Sequence, residues 1–192
     1  MRQNKALMRL GDDTLIEHVI QRIRSVTNQQ LLITNSLDEY AHLNIPMHSD
    51  IVPNCGALGG IYTGLTYATN EVSFCVGCDI PFLQEKLISY LVSIIGEYDA
   101  VLPYTIEKCP SNADNPESKL QTLCAVYSKR CLPIIESMLK ESELRVHALQ
   151  ERANVLCISP EVWKKYDSEG YSFFNINTPE DFEQAQSIYH LL

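Results

Sequence analysis

Val72-Ser73-Phe74-Cys75-Val76-Gly77-Cys78-Asp79-Ile80-Pro81-Phe82-Leu83 decides how this chain is read. The run from Val72 to Cys78 is apolar and of strand length, and Pro81 ends any ladder soon after it. A carboxylate placed where a buried strand stops points out of the carboxyl edge of a sheet. In open α/β sheets ligands bind at that edge. A lone carboxylate there suits Mg²⁺, a hard cation that takes oxygen ligands and shares them with substrate phosphates. The competing reading is that Asp79 caps the next helix.

Outward from this stretch the periodicity alternates. Thr14-Leu15-Ile16-Glu17 has a capping-box pattern, and Leu15, Ile16, Val19, Ile20 and Ile23 follow at helical spacing. Residues 30–34 read as a strand ending at Asn35, and 45–47 as a short strand before Asp50. Residues 56–68 begin as a glycine-rich loop and become a helix. A helix is expected over 83–95 with Gly96 as its stop, and a strand over 100–104. The polar stretch 108–118, with two prolines, is expected to be a surface loop. A strand at 120–127, a helix at 131–139, a helical turn at 144–149 and a strand at 155–158 follow. Thr178-Pro179-Glu180-Asp181 is a strong helix start. Strands alternating with helices predict an α/β fold, a mainly parallel sheet covered on both faces.

Length and charge narrow the classes. The 192 residues suit a single domain, 1–192, with a full core. The net charge is −9 with no Lys/Arg cluster, which argues against nucleic acid as a partner. No apolar run approaches a membrane span and nothing resembles an export signal, so a cytoplasmic location is expected. The seven cysteines are odd in number and irregular in spacing, against a disulfide framework. Cys75 and Cys78 invite a redox or zinc reading, but no second ligand pair accompanies them. Small buried hydrophobes are the better account of these thiols.

Asn35, Asp50 and Asp79 each follow a candidate strand, so a parallel sheet gathers them on one edge. An amide such as Asn35 offers donor and acceptor to a nucleobase or ribose, although it also suits an Asx turn. Gly56-Ala57-Leu58-Gly59-Gly60 lets backbone approach a ligand at a helix start. It is not a Walker motif, because no Gly-Lys-Ser/Thr follows. Asn175 and Asn177 lie beside the last helix start, and Arg145 is a further candidate phosphate contact.

These residues also carry a resemblance. Asn4-Lys5-Ala6-Leu7, Thr14 to Val19, Asp50, Gly56 to Gly60, Cys78-Asp79-Ile80-Pro81, Leu123 to Tyr127 and Phe174 to Asp181 occur in that order. Together they resemble the molybdenum cofactor guanylyltransferase family, nearly end to end. The resemblance implies a three-layer, Rossmann-like nucleotidyltransferase fold. It implies GTP, Mg²⁺ and the molybdopterin cofactor as ligands, with molybdoenzymes or other cofactor-biosynthesis proteins as further partners and a monomeric state. Lys5 resembles the lysine that neutralises the triphosphate, and Asp79 the magnesium ligand. Asn35, Asp50, Gly56, Gly59 and Gly60 match the nucleotide pocket. Asn175 and Asn177 match amides on the molybdopterin side, with Arg145 beside them. The implied reaction is attack of the cofactor's terminal phosphate on the α-phosphate of GTP, releasing pyrophosphate. A cytidylyltransferase, another small nucleotidyltransferase and a non-catalytic molybdopterin-binding module stay open as alternatives.

One departure shapes the expectations. Family members begin with a strand and a loop reading Leu-Ala-Gly-Gly-x-Ser-x-Arg-Met-Gly ahead of the lysine, whereas Met1 here aligns with the methionine of that loop. The resemblance therefore implies a sheet with its first strand missing, two open ladder edges, weak triphosphate binding and Lys5 at a frayed terminus.

The cysteine pattern generates a first expected outcome. Thiol titration of the unfolded protein, without reductant, should count all seven cysteines as free, and metal analysis should find no stoichiometric zinc.

Overall fold

In a computed structural model of the chain, residues 4–109 and 112–191 are described, side chains of residues 107–116 excepted. The elements run β1 (Arg9–Leu10), β2 (Asp13–Thr14), α1 (Leu15–Arg24), β3 (Leu32–Ile33), α2 (Leu37–Tyr40), β4 (Met47–His48) and α3 (Gly56–Tyr67). They continue as β5 (Val72–Val76), α4 (Glu85–Ser93), β6 (Ala100–Cys109), β7 (Asn112–Leu120) and β8 (Cys124–Ser128). The chain closes with α5 (Leu132–Lys140), β9 (Val155–Ile158), α6 (Pro160–Trp163) and α7 (Pro179–Tyr189).

The main sheet is mixed. β8 lies antiparallel between β5 and β6, and β9 pairs parallel with the first half of β6. The second half of β6 pairs antiparallel with β7. β5, β6 and β9 therefore run one way. β3 and β4 form a separate parallel pair, and β1 and β2 a small antiparallel one.

Strand alternation builds three layers. Ala100 and Leu102 of β6, with Ala125 and Tyr127 of β8, face Leu58, Ile61 and Leu65 of α3 and Ile135 and Met138 of α5. Val101 and Val126 face the other way, onto Leu87 and Leu91 of α4 and Trp163 of α6. Successive side chains on a strand point to opposite faces, so a sheet covered on both sides must be apolar at every position. A third cluster joins the two ends of the chain: Leu10 and Leu15 pack with Phe82, Ile176, Ala185 and Ile188. The Cys131 thiol lies within the first cluster, and burial pushes it up to about 12.

Three readings change. The stretch 108–118 is not a loop: β6 extends to Cys109 and β7 begins at Asn112, making a hairpin, with residues 110–111 outside the described ones. Among the described residues β7 pairs with β6 alone, and Glu117, Ser118 and Lys119 are exposed. An edge strand wetted in this way shows no apolar period and tolerates proline. The Gly56–Gly60 segment is the first turn of α3 itself rather than a loop before it. Burial of Leu58, Ile61 and Leu65 outweighs the poor helix propensity of glycine, about 1 kcal/mol per residue. Residues 120–127 divide between the end of β7 and β8, broken by a turn at Gln121–Leu123 in which Cys124 N–H donates to Gln121 O at 3.2 Å.

Helix starts follow the sequence closely. Thr14 and Glu17 form a capping box at α1. At α7 the Thr178 hydroxyl accepts from Asp181 N–H at 3.1 Å, and the Asp181 carboxylate accepts from Asn177 and Thr178 N–H, both at 2.8 Å. Those bonds hold the Asp181 carboxyl below its ordinary value of 3.8. A depressed carboxylate stabilises the fold above its unfolded pKa and loses that contribution as pH falls through the folded one.

Thr178→Ala should therefore lower stability by about 1 kcal/mol, read by urea unfolding at neutral pH. The separate loss in Asp181→Asn should shrink on acidification below pH 3.8, where the unfolded chain's carboxylate takes up its proton first, and vanish once the folded carboxylate is protonated too.

Candidate nucleotide site

At the carboxyl ends of β3 and β4 an amide and a carboxylate face each other. Asn35 Nδ2 donates to Asp50 Oδ2 at 2.8 Å, and Asp50 N–H donates to Asn35 Oδ1 at 3.0 Å. The pair bridges two parallel strands and fixes both side chains. Asp50 Oδ1 is buried with no partner among the described residues. Ile51 N–H donates to the buried Thr63 hydroxyl at 3.0 Å, which ties this loop to α3.

The start of α3 lies against the same loop. A Cβ on Gly59 would stand 2.9 Å from Cys55 Cβ and 3.3 Å from Val52 O, with Asp50 Oδ1 at 4.0 Å. Gly59 is thus required by packing. Gly60 has nothing within 4 Å of such a Cβ, and Gly56, at φ +53°, also opens onto free space. Both line a cavity of about 660 Å³ together with Asp50, Tyr40, Gly77 and Cys78.

Asp79 follows β5, next in sequence to the cavity-lining Gly77 and Cys78. Its carboxylate folds back over the preceding turn: a Cβ on Gly77 would stand 2.5 Å from Asp79 Oδ1. Ile176 N–H donates to Asp79 O at 3.0 Å, which draws the Asn175–Asn177 segment to the strand end. Lys5 Nζ donates to Asn177 O. The Asp79 main chain and the Lys5 ammonium are therefore both bonded to the main chain of the Asn175–Asn177 segment. Asn175 Oδ1 is buried without a partner among the described residues.

Lys5 is not at a frayed end. It opens a 3-10 turn, Lys5–Leu7, capped by Asn4. Asn4 Nδ2 donates to Glu39 Oε2 at 2.6 Å and to Tyr40 Oη at 2.9 Å, and Ala6 is buried beneath. Arg145 stands apart. Its guanidinium makes a two-pronged pair with Glu143, at 2.9 and 2.6 Å, and is largely exposed. The arginine beside it holds the Glu143 carboxyl down to about 2. Among the described residues no hydrogen bond joins Arg145 to Asn175 or Asn177.

Sequence reasoning missed Gly77 and Tyr40. A glycine two residues before an acid at a strand end is a readable signal for a carboxylate that turns back. Tyr40 carries no such signal, since its role comes from contact with Asn4.

Acids at strand ends beside a glycine start to the next helix mark an α/β fold of the kind that takes ligands at the carboxyl edge of its strands. The chain belongs to the MobA-like NTP transferase domain family, whose model matches residues 1–155. It is 32% identical over 96% of its length to the molybdenum cofactor guanylyltransferase of Desulfosudis oleivorans, covering 86% of that protein. It is also 32% identical over its full length to a protein of Carboxydothermus hydrogenoformans named "Probable molybdenum cofactor guanylyltransferase", covering 91% of it. Among solved structures it is similar to molybdopterin-guanine dinucleotide biosynthesis protein A from Archaeoglobus fulgidus, with a TM-score of 0.80, 23% identity and coverage of 100% and 93% of the two chains. It shares the fold of 2-C-methyl-D-erythritol 4-phosphate cytidylyltransferase from Thermus thermophilus, at a TM-score of 0.71 and 14% identity over 97% and 94%.

The two inner glycines separate packing from binding. Gly59→Ala should cost about 1–3 kcal/mol through overpacking against Cys55 and Val52 O. Gly60→Ala should leave the melting temperature unchanged or slightly higher, while weakening nucleotide binding in calorimetric titration.

Proposed function

We propose that this protein transfers GMP from GTP to the terminal phosphate of the molybdopterin cofactor. The observation that carries this reading is the clasp of Lys5, Asp79 and the Asn175–Asn177 segment in a chain of the MobA-like family. A phosphate oxygen of molybdopterin attacks the α-phosphorus of GTP, a new P–O bond forms, the bond to the β-phosphate breaks, and pyrophosphate leaves. Such transfers rest on positioning and on charge stabilisation at the phosphoryl oxygens.

Each group has a part in this. Lysine carries three donors. Lys5 spends one on Asn177 O, which aims the ammonium, and keeps two for phosphate. Asn35 fixes Asp50 so that Oδ1 presents a free acceptor to the donor edge of a base. Gly56 and Gly60 leave room for a nucleotide against the α3 backbone. Asn175 and Asn177 lie on the acceptor side, where the free Asn175 Oδ1 takes a donor from the pterin; Arg145 is a more distant phosphate contact.

The donor set fits Mg²⁺. Among the described residues no cluster of three or more His, Cys, Asp or Glu side chains forms a closed metal site. A single half-buried carboxylate, Asp79, suits a cation that keeps waters and takes its other oxygens from substrate phosphates. When bound there, Mg²⁺ supplies charge neutralisation at the phosphoryl oxygens.

Asp79→Asn should lower turnover on the order of a hundredfold, about 3 kcal/mol of transition-state stabilisation, with an unchanged circular dichroism spectrum. Pyrophosphate release with GTP, Mg²⁺ and molybdopterin reads this out. Near-normal turnover in the variant would remove Asp79 from the site. Faster turnover with CTP would make the protein a cytidylyltransferase, and cofactor binding without turnover a binding module.

A further inference from the structure

Asp167 is a buried carboxylate with no part in the transfer chemistry. It is 4% exposed and stands in the turns that follow α6. Its Oδ1 accepts from Gly170 N–H at 3.0 Å and from Tyr171 N–H at 3.2 Å, and its Oδ2 from Ser172 N–H at 2.7 Å. Consecutive amides aimed at one carboxylate make charge-assisted bonds that fix the path of the chain. Gly170 takes the φ of +74° that this path requires, and a Cβ there would stand 3.2 Å from the Trp163 ring. Asp167 is itself anchored to the sheet. Its N–H donates to Trp163 O at 3.1 Å, and the Trp163 indole N–H donates to Tyr104 O of β6 at 2.9 Å.

The order imposed at Asp167 reaches the site through Ser172. Ser172 is fully buried, and its hydroxyl oxygen accepts from Gln84 N–H, at the start of α4, at 2.9 Å. Further along the same segment Ile176 N–H donates to Asp79 O at 3.0 Å. The stretch 172–176 therefore holds the stretch 79–84 at both of its ends. Buried Phe82 lies between these bonds, its ring 6.3 Å from that of Tyr171 and 6.2 Å from that of Phe174. Two bonds fix both the spacing and the tilt of the segments, where one bond would leave a hinge. Asp79 and Asn175 ride on these two segments. Asn35 and Asp50 are held instead by β3, β4 and α3.

We propose that Asp167 is a positioning residue for the guanylyl transfer, acting through Ser172. The pair sets how the turn that carries Asp79 stands against the segment that carries Asn175. The role rests on the transfer function proposed above. With the Ser172–Gln84 bond gone, the segments are joined by the Ile176–Asp79 bond and by apolar contact, and they swing about the end of β5. A displacement of about 1 Å at a reacting centre costs on the order of a hundredfold in rate. The base-facing groups are held by other elements, so nucleobase choice lies outside this relay. A turn cap with no further role would lower stability and leave the active molecules unchanged.

Two variants of the full chain test this. Asp167→Asn replaces one acceptor oxygen by a donor, and Ser172→Ala deletes only the acceptor of Gln84 N–H. Residue-resolved hydrogen exchange without substrate should show the Gln84 and Ile176 amides exchanging about tenfold faster in both, with Thr34 and Ile51 at the wild-type rate. In pyrophosphate release with GTP and molybdopterin, Ser172→Ala should lower kcat about tenfold and raise the Mg²⁺ concentration for half-maximal rate by a similar factor. The preference for GTP over CTP should stay as it is. Combined with Asp79→Asn, Ser172→Ala should cost nothing further, because both changes act at one place. A merely structural defect lowers the active fraction alone: kcat falls, the Mg²⁺ dependence stays, and the two losses multiply. That result overturns the proposal, and so does wild-type exchange at Gln84 and Ile176. If Asp167→Asn does not fold, Ser172→Ala decides. A wild-type protein without guanylyl transfer overturns the transfer function and this role together, whereas an active one with an unmoved Mg²⁺ dependence in the variant overturns this role alone.

Discussion

All five side chains of β8, from Cys124 to Ser128, are buried, and so are Ala100, Val101 and Leu102 of β6 beside them. This doubly covered pair of strands is what the remaining elements are hung on. Full burial of one large apolar side chain is worth about 1.5–3 kcal/mol. Tyr127 is the largest of the fully buried side chains, and its hydroxyl donates to Thr122 O at 2.8 Å. That bond satisfies a polar group in the core and pins the turn from which β8 starts. Burial also pushes the Tyr127 hydroxyl well above the ordinary tyrosine range, so it stays a neutral donor. The helices on the two faces are fixed by which way each β6 and β8 residue points.

The site is a consequence of where that scaffold stops. β5 is held in place by β8, and the chain must turn at Gly77 to clear the Asp79 carboxylate. α3 packs on the sheet through Leu58, Ile61 and Leu65, and this carries its glycine start to the Asp50 loop. None of the site groups sits on a long loop of its own. Each lies within about four residues of a strand or helix whose position the core dictates.

The sequence was most legible where one short-range rule acts alone. The capping boxes at Thr14 and Thr178 name their helices to the residue. Val155–Ile158 is a strand as read, whereas α4 stops at Ser93, three residues short of the Gly96 stop that the sequence suggested. Asn35 and Asp50 were legible as strand-end groups, although their mutual hydrogen bonds depend on β3 and β4 pairing in register, which no single stretch encodes. The β6–β7 hairpin was illegible because an exposed edge strand carries no apolar alternation. The start of α3 was illegible for the opposite reason: its glycines deny a helix locally, and long-range packing imposes one. Lys5 was misjudged because the carbonyl that anchors it lies 172 residues away.

That separation has a consequence for the order in which the protein is made. Chains emerge from the ribosome amino end first, and local elements organise before distant ones. Lys5, Leu10 and Leu15 emerge long before their partners at Ile176, Asn177 and Ala185. Through most of synthesis the lysine turn and the first helix wait without their cover. The apolar face that α7 will hide is exposed to chaperones or to neighbouring nascent chains for that whole interval. The Lys5 turn is therefore a timer: it acquires its anchor only when translation has reached the segment leading into α7.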